Sequence, residues 1–374
     1  MQEDTESIVI DNGSGIIKTG FGGEEAPKSI FSTIIGTPKH EEIIKEKQKK
    51  KIYIGEEAQK ERGFLSLEYP IENGIVKNWE NMEKIWNQIF EKELKIKPEE
   101  YSVLINEPPL NPKGNREKMM EIMFEKFNVR KFYVSNSGNL TAISSGKNAA
   151  INVEMGDGVF STVPVFGDYT LTHAIKRINF GGRDLTDYLT RILTENDYYF
   201  ETSGEKEFVR EIKEELCYVA LDFEKEMQIA NESNDIEKTY DLPDGNSINI
   251  GNQRFRCPEV LFNREYFSRT KSITQIIFDS IMDCDSSLRK TFFENIVLSG
   301  GNSMFPGMKE RIQKEISLLA PQNVNVNVIA LPERKFLNWI GGSILVSLDD
   351  FKNNWISKKE FDEFGHLIVH KKCF

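Results

Sequence analysis

Two stretches of the chain share one plan, in which a run of β-forming residues meets an acidic residue and a glycine-rich turn, and a second β-forming run follows. They are "IVIDNGSGIIKTGFGG" at 8–23 and "INVEMGDGVFSTVPVF" at 151–166, so that Glu154 lies 143 residues after Asp11. Glycine-rich turns between such runs are typical of β-hairpins. Two similar hairpins in two halves of a chain predict a duplicated α/β domain with a cleft between the halves.

The tips of both predicted hairpins are suited to hold phosphate, because backbone N–H groups on glycine-rich turns can approach it closely. Lys18 follows the first tip and can neutralise phosphate charge, while Asp11 and Glu154 are expected to face each other across the cleft. Two carboxylates around a polyphosphate imply a divalent cation, held partly through water. One such turn alone favours a plain hairpin. Two of them, with a third glycine turn at Ser299-Gly300-Gly301, favour a nucleotide site.

Composition excludes several other classes. The 374 residues are 39% hydrophobic and 29% charged, with a net charge of −11, which is ordinary for a soluble protein and argues against nonspecific nucleic-acid binding. The apolar runs are too short to cross a bilayer, and the acidic N-terminus does not resemble a signal peptide. The four cysteines are scattered and predict free thiols in a reducing compartment rather than zinc ligands or a disulfide frame. The chain has only four histidines, which argues against a histidine-rich metal site.

Helical patterns alternate with the predicted strands. Residues 111–127 place Met119, Ile122, Met123 and Phe127 on one face of a helix. A second helix is predicted over 205–227, with Phe208, Ile212 and Leu216 buried and with Arg210, Lys213 and Glu214 on the other face. That charged triad has two interpretations, a solvated stripe or a set of ligand contacts. The segment 294–307 predicts a strand, a glycine turn and then a helix.

Several long motifs, spread in order over essentially the whole chain, resemble those of the actin family. Besides the first hairpin they include "YIGEEAQKERG", "YPIENGIVKNW", "GGRDLTDYLTRILTE", "VREIKEELCYVALDFE", "LPDGNSINIGNQRFRCPE", "VLSGGNSMFPGM", "WIGGSIL" and "IVHKKCF". The resemblance implies an actin-type α/β fold with ATP or ADP and Mg²⁺ or Ca²⁺ in the cleft. It places a small outer domain at 1–144 plus 336–374, with an inserted subdomain at 33–69. A large inner domain spans 145–335, with an inserted subdomain at 181–268.

The resemblance also assigns the nucleotide contacts. Ser14, Gly15, Ile16 and Lys18 match the first phosphate loop, and Gly156, Asp157, Gly158 and Val159 match the second. Residues around the ribose and base are matched by Gly182, Arg210, Lys213 and Glu214, and those of the adenine pocket by Gly301, Met304, Phe305 and Lys335. Asp11 and Glu154 match the acidic positions near the cation.

The chain departs from the family where ATP is hydrolysed, a reaction that depends on positioning a water molecule against the γ-phosphate. The family uses a Gln and a His, whereas the matching residues are Ser137 and Ser161. Serine is too short to hold water at the same distance. Glu154 is one methylene longer than the family's Asp, and Met155 replaces a small residue. These changes predict ATP binding with slow or absent hydrolysis.

Surfaces that the family uses for filament formation are also altered. The loop "EEIIKEKQKKK" at 41–51, within the lysine-rich segment His40–Lys51, replaces small and apolar residues, and lysines carry a desolvation cost in an apolar socket. This segment reads as a solvated loop or, less favoured, as a binding arm. Arg269 lies at the normally apolar tip of a shortened loop. At the base of the molecule, Ile340, Ile344, Leu345 and Leu348 resemble the apolar lining of a partner groove, although ordinary core spacing explains them equally well.

The leading hypothesis is an ATP-binding structural protein whose partners are other proteins, either actin-like subunits or a larger cytoskeletal, axonemal or chromatin-remodelling complex. We expect a cytoplasmic or cytoskeletal location, with a cilium or the nucleus as alternatives, and no membrane or sequence-specific nucleic-acid binding. One alternative is a filament-forming ATPase actin of altered geometry. A sugar-kinase-like phosphotransferase is disfavoured because the sequence lacks a kinase signature. An Hsp70-like chaperone would need an additional substrate-binding domain.

Overall fold

The computed structural model describes residues 6–39, 51–167, 169–243, 245–263 and 271–373. The predictions made for the lysine-rich loop, except at Lys51, and for Arg269 therefore lie outside the described residues.

Strands and helices alternate along most of the chain. The strands are β1 (Ser7–Asn12), β2 (Ile16–Phe21), β3 (Ser29–Ser32), β4 (Ile35–Pro38), β5 (Tyr53–Ile54), β6 (Leu65–Glu68), β7 (Ile71–Glu72), β8 (Ile75–Val76), β9 (Ser102–Glu107), β10 (Lys131–Asn136), β11 (Ala149–Met155), β12 (Phe160–Phe166), β13 (Tyr169–Thr170), β14 (Lys176–Ile178), β15 (Lys238–Asp241), β16 (Ser247–Ile250), β17 (Ile296–Ser299), β18 (Val328–Ile329) and β19 (Ile356–Ser357). The α-helices are α1 (Glu56–Lys60), α2 (Trp79–Gln88), α3 (Lys113–Glu125), α4 (Ser137–Ser145), α5 (Gly182–Leu193), α6 (Ser203–Leu216), α7 (Phe223–Glu232), α8 (Gln253–Glu259), α9 (Ile273–Met282), α10 (Ser286–Glu294), α11 (Met308–Leu319), α12 (Leu337–Ser347), α13 (Lys358–Phe364) and α14 (Ile368–Lys372).

Two main sheets repeat one arrangement. In the first, the strand order β10-β9-β1-β2-β3 has parallel pairing from β10 to β1 and antiparallel pairing from β1 to β3, with β19 added at the edge. In the second, β18-β17-β11 is parallel, and β12 pairs antiparallel with β11 and with the short strands β13 and β14. The order and pairing sense match strand for strand, which confirms the predicted duplicated α/β fold.

Each main sheet has its own apolar core. Strand β9 is buried at every position and β1 at its four central ones, as expected for central strands that are covered on both faces. Helices α2, α3 and α12 contribute to the core of the first sheet, and α5, α9 and α11 contribute to the core of the second. A small separate cluster is formed by Ile34, Tyr53, Ala58 and Leu65.

The single helix predicted over 205–227 is wrong in its length. Helix α6 ends at Leu216, and the backbone is extended at Cys217. The next residues are held by other loops instead, because Tyr218 N donates to Arg254 O at 3.1 Å and Val219 N donates to Pro306 O at 2.8 Å. The Asp222 side chain then caps the start of α7. Tertiary pairing of this segment outweighs its helical periodicity.

The predicted burial of α6 is partly wrong as well. Ile212 is buried, but Phe208 and Leu216 are only half-buried. Lys213 is 2% exposed, which removes the interpretation of its charged face as a fully solvated stripe.

Other predictions from sequence are confirmed. Helix α3 buries Met119, Ile122 and Met123, and Phe127 packs beside them. The strand, glycine turn and helix predicted at 294–307 correspond to β17, a short 3₁₀ helix and the start of α11. All four cysteines are free and buried.

Within the described ranges, no helix combines the length and apolar character needed to cross a membrane.

Candidate functional site

The tips of the β1–β2 and β11–β12 hairpins contact each other. A Cβ atom on Gly15 would come within 2.8 Å of Asp157 Cγ, and a Cβ atom on Gly158 would come within 2.7 Å of Ser14 Oγ. Side chains at these two glycines would therefore force the tips apart. The glycines predicted for phosphate contact are required first for the approach of the two hairpins.

Backbone N–H groups at both tips remain available. In the part of the chain that the structure describes, no backbone hydrogen bond takes up the N–H groups of Ser14, Gly15, Asp157 or Gly158. Amides that point from two glycine-rich turns form an anion-binding concavity. The donor set at the tips therefore fits a polyphosphate.

A cavity of about 290 Å³ lies between the two halves beside these tips. It brings together most of the residues that the sequence predicted for the site. They are Asp11, Ser14, Gly15, Ile16, Lys18, Ser137, Glu154, Gly156, Asp157, Gly158, Val159, Arg210, Lys213, Glu214, Gly301, Met304, Phe305 and Lys335. Residues from both sheets and from α6 thus converge on one cavity.

Two predicted residues do not line this cavity. Gly182 lies behind the second tip, where its N–H donates to Gly156 O at 3.1 Å and its carbonyl accepts from Lys213 Nζ at 2.6 Å. Ser161 is fully buried, and its hydroxyl has no hydrogen-bond partner among the described residues. Its place in the β11–β12 register is opposite Glu154, just as Lys18 is opposite Asp11 in the first hairpin.

The Asp11 carboxylate is held by two donors. Lys18 Nζ donates to Oδ2 at 2.6 Å, and Asn106 Nδ2 donates to Oδ1 at 2.5 Å. Asp11 is only 2% exposed. A carboxylate that is already paired in this way fits a cation held through water better than one bound directly.

Glu154 is held by a different pair of donors. Ser137 Oγ donates to Oε2 at 2.5 Å, and Asn338 Nδ2 donates to Oε1 at 2.8 Å. Burial raises the pKa of the Glu154 carboxyl above its ordinary value and these two hydrogen bonds oppose that rise, while the charge of Asp11 adds to it. The Ser137 hydroxyl hydrogen is therefore engaged by Glu154.

No cluster of three or more acidic, histidine or cysteine side chains is placed to hold a metal ion within the described ranges. A cation near Asp11 and Glu154 would need phosphate oxygens or water to complete its coordination.

The far end of the cavity is built on α6. Lys213 Nζ donates to Gly182 O and, at 2.9 Å, to Thr186 Oγ1. The buried ammonium group is thus hydrogen-bonded to two oxygens near the start of α5. Arg210 Nη1 donates to Glu214 Oε1 at 3.3 Å. Helix α6 begins with a capping box between Thr202 and Glu205, which fixes the entry of the helix.

Glu207 joins this helix to the segment carrying Gln59 and Tyr69. Gln59 Nε2 and Arg210 Nε donate to Glu207 Oε2 at 2.6 and 2.8 Å, and the Tyr69 hydroxyl donates to Oε1. Burial is the largest single effect on the Glu207 carboxyl and raises its pKa. The charge of Arg210 and the three hydrogen bonds together lower the pKa by more. The net result is a lowered pKa and a charged group that ties the two segments together.

Sequence reasoning missed several residues of the site. Arg183 bridges the tips, since its Nη2 lies 3.2 Å from Asp157 Oδ2 and 3.3 Å from Ser14 O, and its guanidinium stacks over the Tyr69 ring at 4.0 Å. Asn338 was also missed. A signal existed for Asn338, because it is a polar residue in the apolar stretch "FLNWIGGSIL". Arg183 had only its place after two glycines, which does not indicate its partners.

Comparison with known families agrees with this geometry. A family model described as Actin matches residues 2–374, essentially the whole chain.

Proposed function

Because the chain belongs to the actin family, whose members generally bind adenine nucleotide with a divalent cation, we propose that it is an ATP-binding structural protein with weak or absent ATP hydrolysis. It would act as a subunit of the cytoskeleton or of a larger complex. The proposed division is an outer domain of residues 1–144 and 336–374, with an insert at 33–69, and an inner domain of 145–335, with an insert at 181–268. The repetition of one strand order in two separate main sheets supports this division.

ATP is assigned to the cavity between the hairpin tips. The tip amides and Lys18 would hold the phosphates, and Asp11 and Glu154 would hold Mg²⁺ or Ca²⁺ mainly through water. Arg210, Lys213 and Glu214 would contact the ribose and base, and the adenine pocket would be formed by Gly301, Met304, Phe305 and Lys335. A bound cation would neutralise phosphate charge.

One observation carries the proposal of weak hydrolysis. The Ser137 hydroxyl is 2.5 Å from Glu154 Oε2, and the second candidate hydroxyl, that of Ser161, is fully buried and does not line the cavity. A group that orients water must reach the site where the water attacks. Ser161 does not reach the cavity, and Ser137 lines it with its only hydroxyl hydrogen already donated to Glu154.

Single-turnover hydrolysis of ATP, measured beside conventional actin, tests this proposal. We expect ATP to bind and to persist much longer than on conventional actin. Product formation at a comparable rate would refute weak hydrolysis.

We propose that other proteins are the partners of this chain. Ile344 is 39% and Leu348 is 48% exposed, whereas Ile340 and Leu345 pack against the core, so part of the expected lining is accessible to a partner. Sedimentation of the purified chain in salt and Mg²⁺ separates two modes of assembly. A pellet would favour a filament of altered geometry, and a fully soluble chain would favour a subunit embedded in another complex.

A further inference from the structure

The Glu154 carboxylate is connected to a chain of buried polar side chains that extends away from the cavity. Thr141 Oγ1 donates to Asn338 Oδ1 at 2.8 Å, and Asn338 Nδ2 donates to Glu154 Oε1 at the same distance. Thr141 is 1% exposed and Asn338 is 8% exposed. Since the Thr141 hydroxyl occupies the amide oxygen, the amide nitrogen of Asn338 is the end that faces Glu154.

The two helices that carry these donors are in close backbone contact. A Cβ atom on Gly341 of α12 would lie 1.9 Å from Leu140 O of α4, so the backbones of these helices meet directly. The residue after Asn338, Trp339, is fully buried and its Nε1 donates to Val9 O at 3.1 Å. Asn338 therefore lies on a helix that is held by α4 and by β1, the strand that bears Asp11.

Glu154 depends on donors from both helices. Ser137 begins α4 and bonds one carboxylate oxygen, and Asn338 near the start of α12 bonds the other. With both oxygens fixed, the carboxylate has one orientation relative to the cavity. Loss of either donor would leave one buried Glu154 oxygen without a hydrogen-bond partner. The carboxylate group could then rotate.

We infer that Asn338 is a positioning residue of the cation site, which holds the Glu154 carboxylate in the orientation that retains Mg²⁺ with bound ATP. This inference rests on the proposed function, and it assigns to the site a residue that contributes through Glu154. Outer-shell partners of a metal-binding group typically change metal affinity by about 10- to 100-fold when they are removed. Because Glu154 would act through water, we expect an effect at the lower end, about tenfold.

The test uses the full chain with ATP and Mg²⁺ as probes. Thermal unfolding is followed at saturating ATP while Mg²⁺ is titrated, and again with ATP in EDTA. Asn338→Leu, which keeps the side-chain size but removes both hydrogen bonds, should raise the half-saturating Mg²⁺ concentration about tenfold. Stabilisation by ATP in EDTA should stay as in the unmodified chain. A raised Mg²⁺ midpoint together with unchanged stabilisation by ATP in EDTA separates an effect on the cation from a general loss of structure.

Two further variants control the measurement. Thr141→Val removes only the hydroxyl that orients the Asn338 amide, and it should raise the Mg²⁺ midpoint in the same direction by a smaller factor. If Asn338→Leu does not fold, Thr141→Val provides the test. Ser343→Ala, on the same helix, removes a buried hydroxyl bonded to Gly23 N and Glu24 O, away from the cavity. It should lower the melting temperature without moving the midpoint.

An unchanged Mg²⁺ midpoint in both Asn338→Leu and Thr141→Val would overturn the inference, and so would an equal shift in Ser343→Ala. Absence of any Mg²⁺-dependent stabilisation in the unmodified chain would instead overturn the proposed function. That outcome is visible before any substitution is made, so the two failures are distinguishable.

Discussion

Arg183→Ala tests whether the two hairpin tips act as one clasp. The side chain makes an ion pair with Asp157 in which the partners are 31% and 24% exposed, and it stacks over Tyr69 at 4.0 Å. A partly exposed ion pair contributes about 1 kcal/mol or less, and a cation–π contact of this kind about 1 kcal/mol. The contacts to Ser14 O and Ile71 O, at 3.3 and 3.5 Å, are long and add little.

The loss is therefore up to about 2 kcal/mol of the energy that holds Asp157, at the second tip, to Arg183 and Tyr69. If the clasp must be closed to bind phosphate, most of this energy appears as weaker nucleotide binding. Since 1.4 kcal/mol corresponds to tenfold in affinity, we expect ATP affinity to fall about 10- to 30-fold. Competition of ATP against a fluorescent ATP analogue at fixed Mg²⁺ measures this change.

Arg191→Ala is the matched control. Arg191 lies on the same helix, and its guanidinium also stacks over a tyrosine, Tyr188, at 5.0 Å, but it does not line the cavity. This variant loses a similar cation–π contact and should keep the affinity of the unmodified chain. Equal affinities for Arg183→Ala and Arg191→Ala would refute the role of Arg183 in the clasp.

Three further predictions follow from the same geometry. Glu207→Gln should lower the free energy of unfolding by about 2–3 kcal/mol at pH 7. Because the folded-state pKa of Glu207 is lowered, its contribution is present above the ordinary value of 4.5 and is lost as pH falls through the folded-state pKa, so urea unfolding at pH 3 should show a smaller difference. Ser137→Gln alone should not restore hydrolysis, because Glu154 already occupies the space beside residue 137. The double variant with Glu154→Asp should hydrolyse ATP faster in single-turnover assays than either single variant. Burial raises the pKa of the Cys284 thiol to about 11 and that of the Cys373 thiol to about 12, so a thiol reagent at pH 8 should react with them only after denaturation. Rapid labelling of the native chain would contradict their burial.

The fold was predictable from sequence because its strongest signals are local. The two hairpins are recognisable from alternating β-forming residues and glycine turns, and their repetition indicates the duplication. The end of α6 at Leu216 was not predictable, because it depends on bonds from Tyr218 and Val219 to distant loops. Helical periodicity carries no information about such partners.

The candidate site shows the same division. Its hairpins were predictable from the residues and most of its lining residues from the resemblance to the actin family, whereas the pairings among side chains were not. Lys213 reads from sequence as part of a charged surface, yet its charge is buried against Gly182 O and Thr186 Oγ1. Asn338 reads as an exception in an apolar helix, and its role depends on where α12 crosses α4. Those crossings are decided by packing between segments that are far apart in the chain.

The central claim is that the cavity between the hairpin tips binds ATP together with a divalent cation. The direct measurement is to load the purified full chain with ATP and Mg²⁺, remove free nucleotide by desalting, denature the protein and quantify the released nucleotide by chromatography. The account predicts close to one equivalent of adenine nucleotide per chain, lost when EDTA is present during desalting. Recovery of no nucleotide from a folded chain would contradict it.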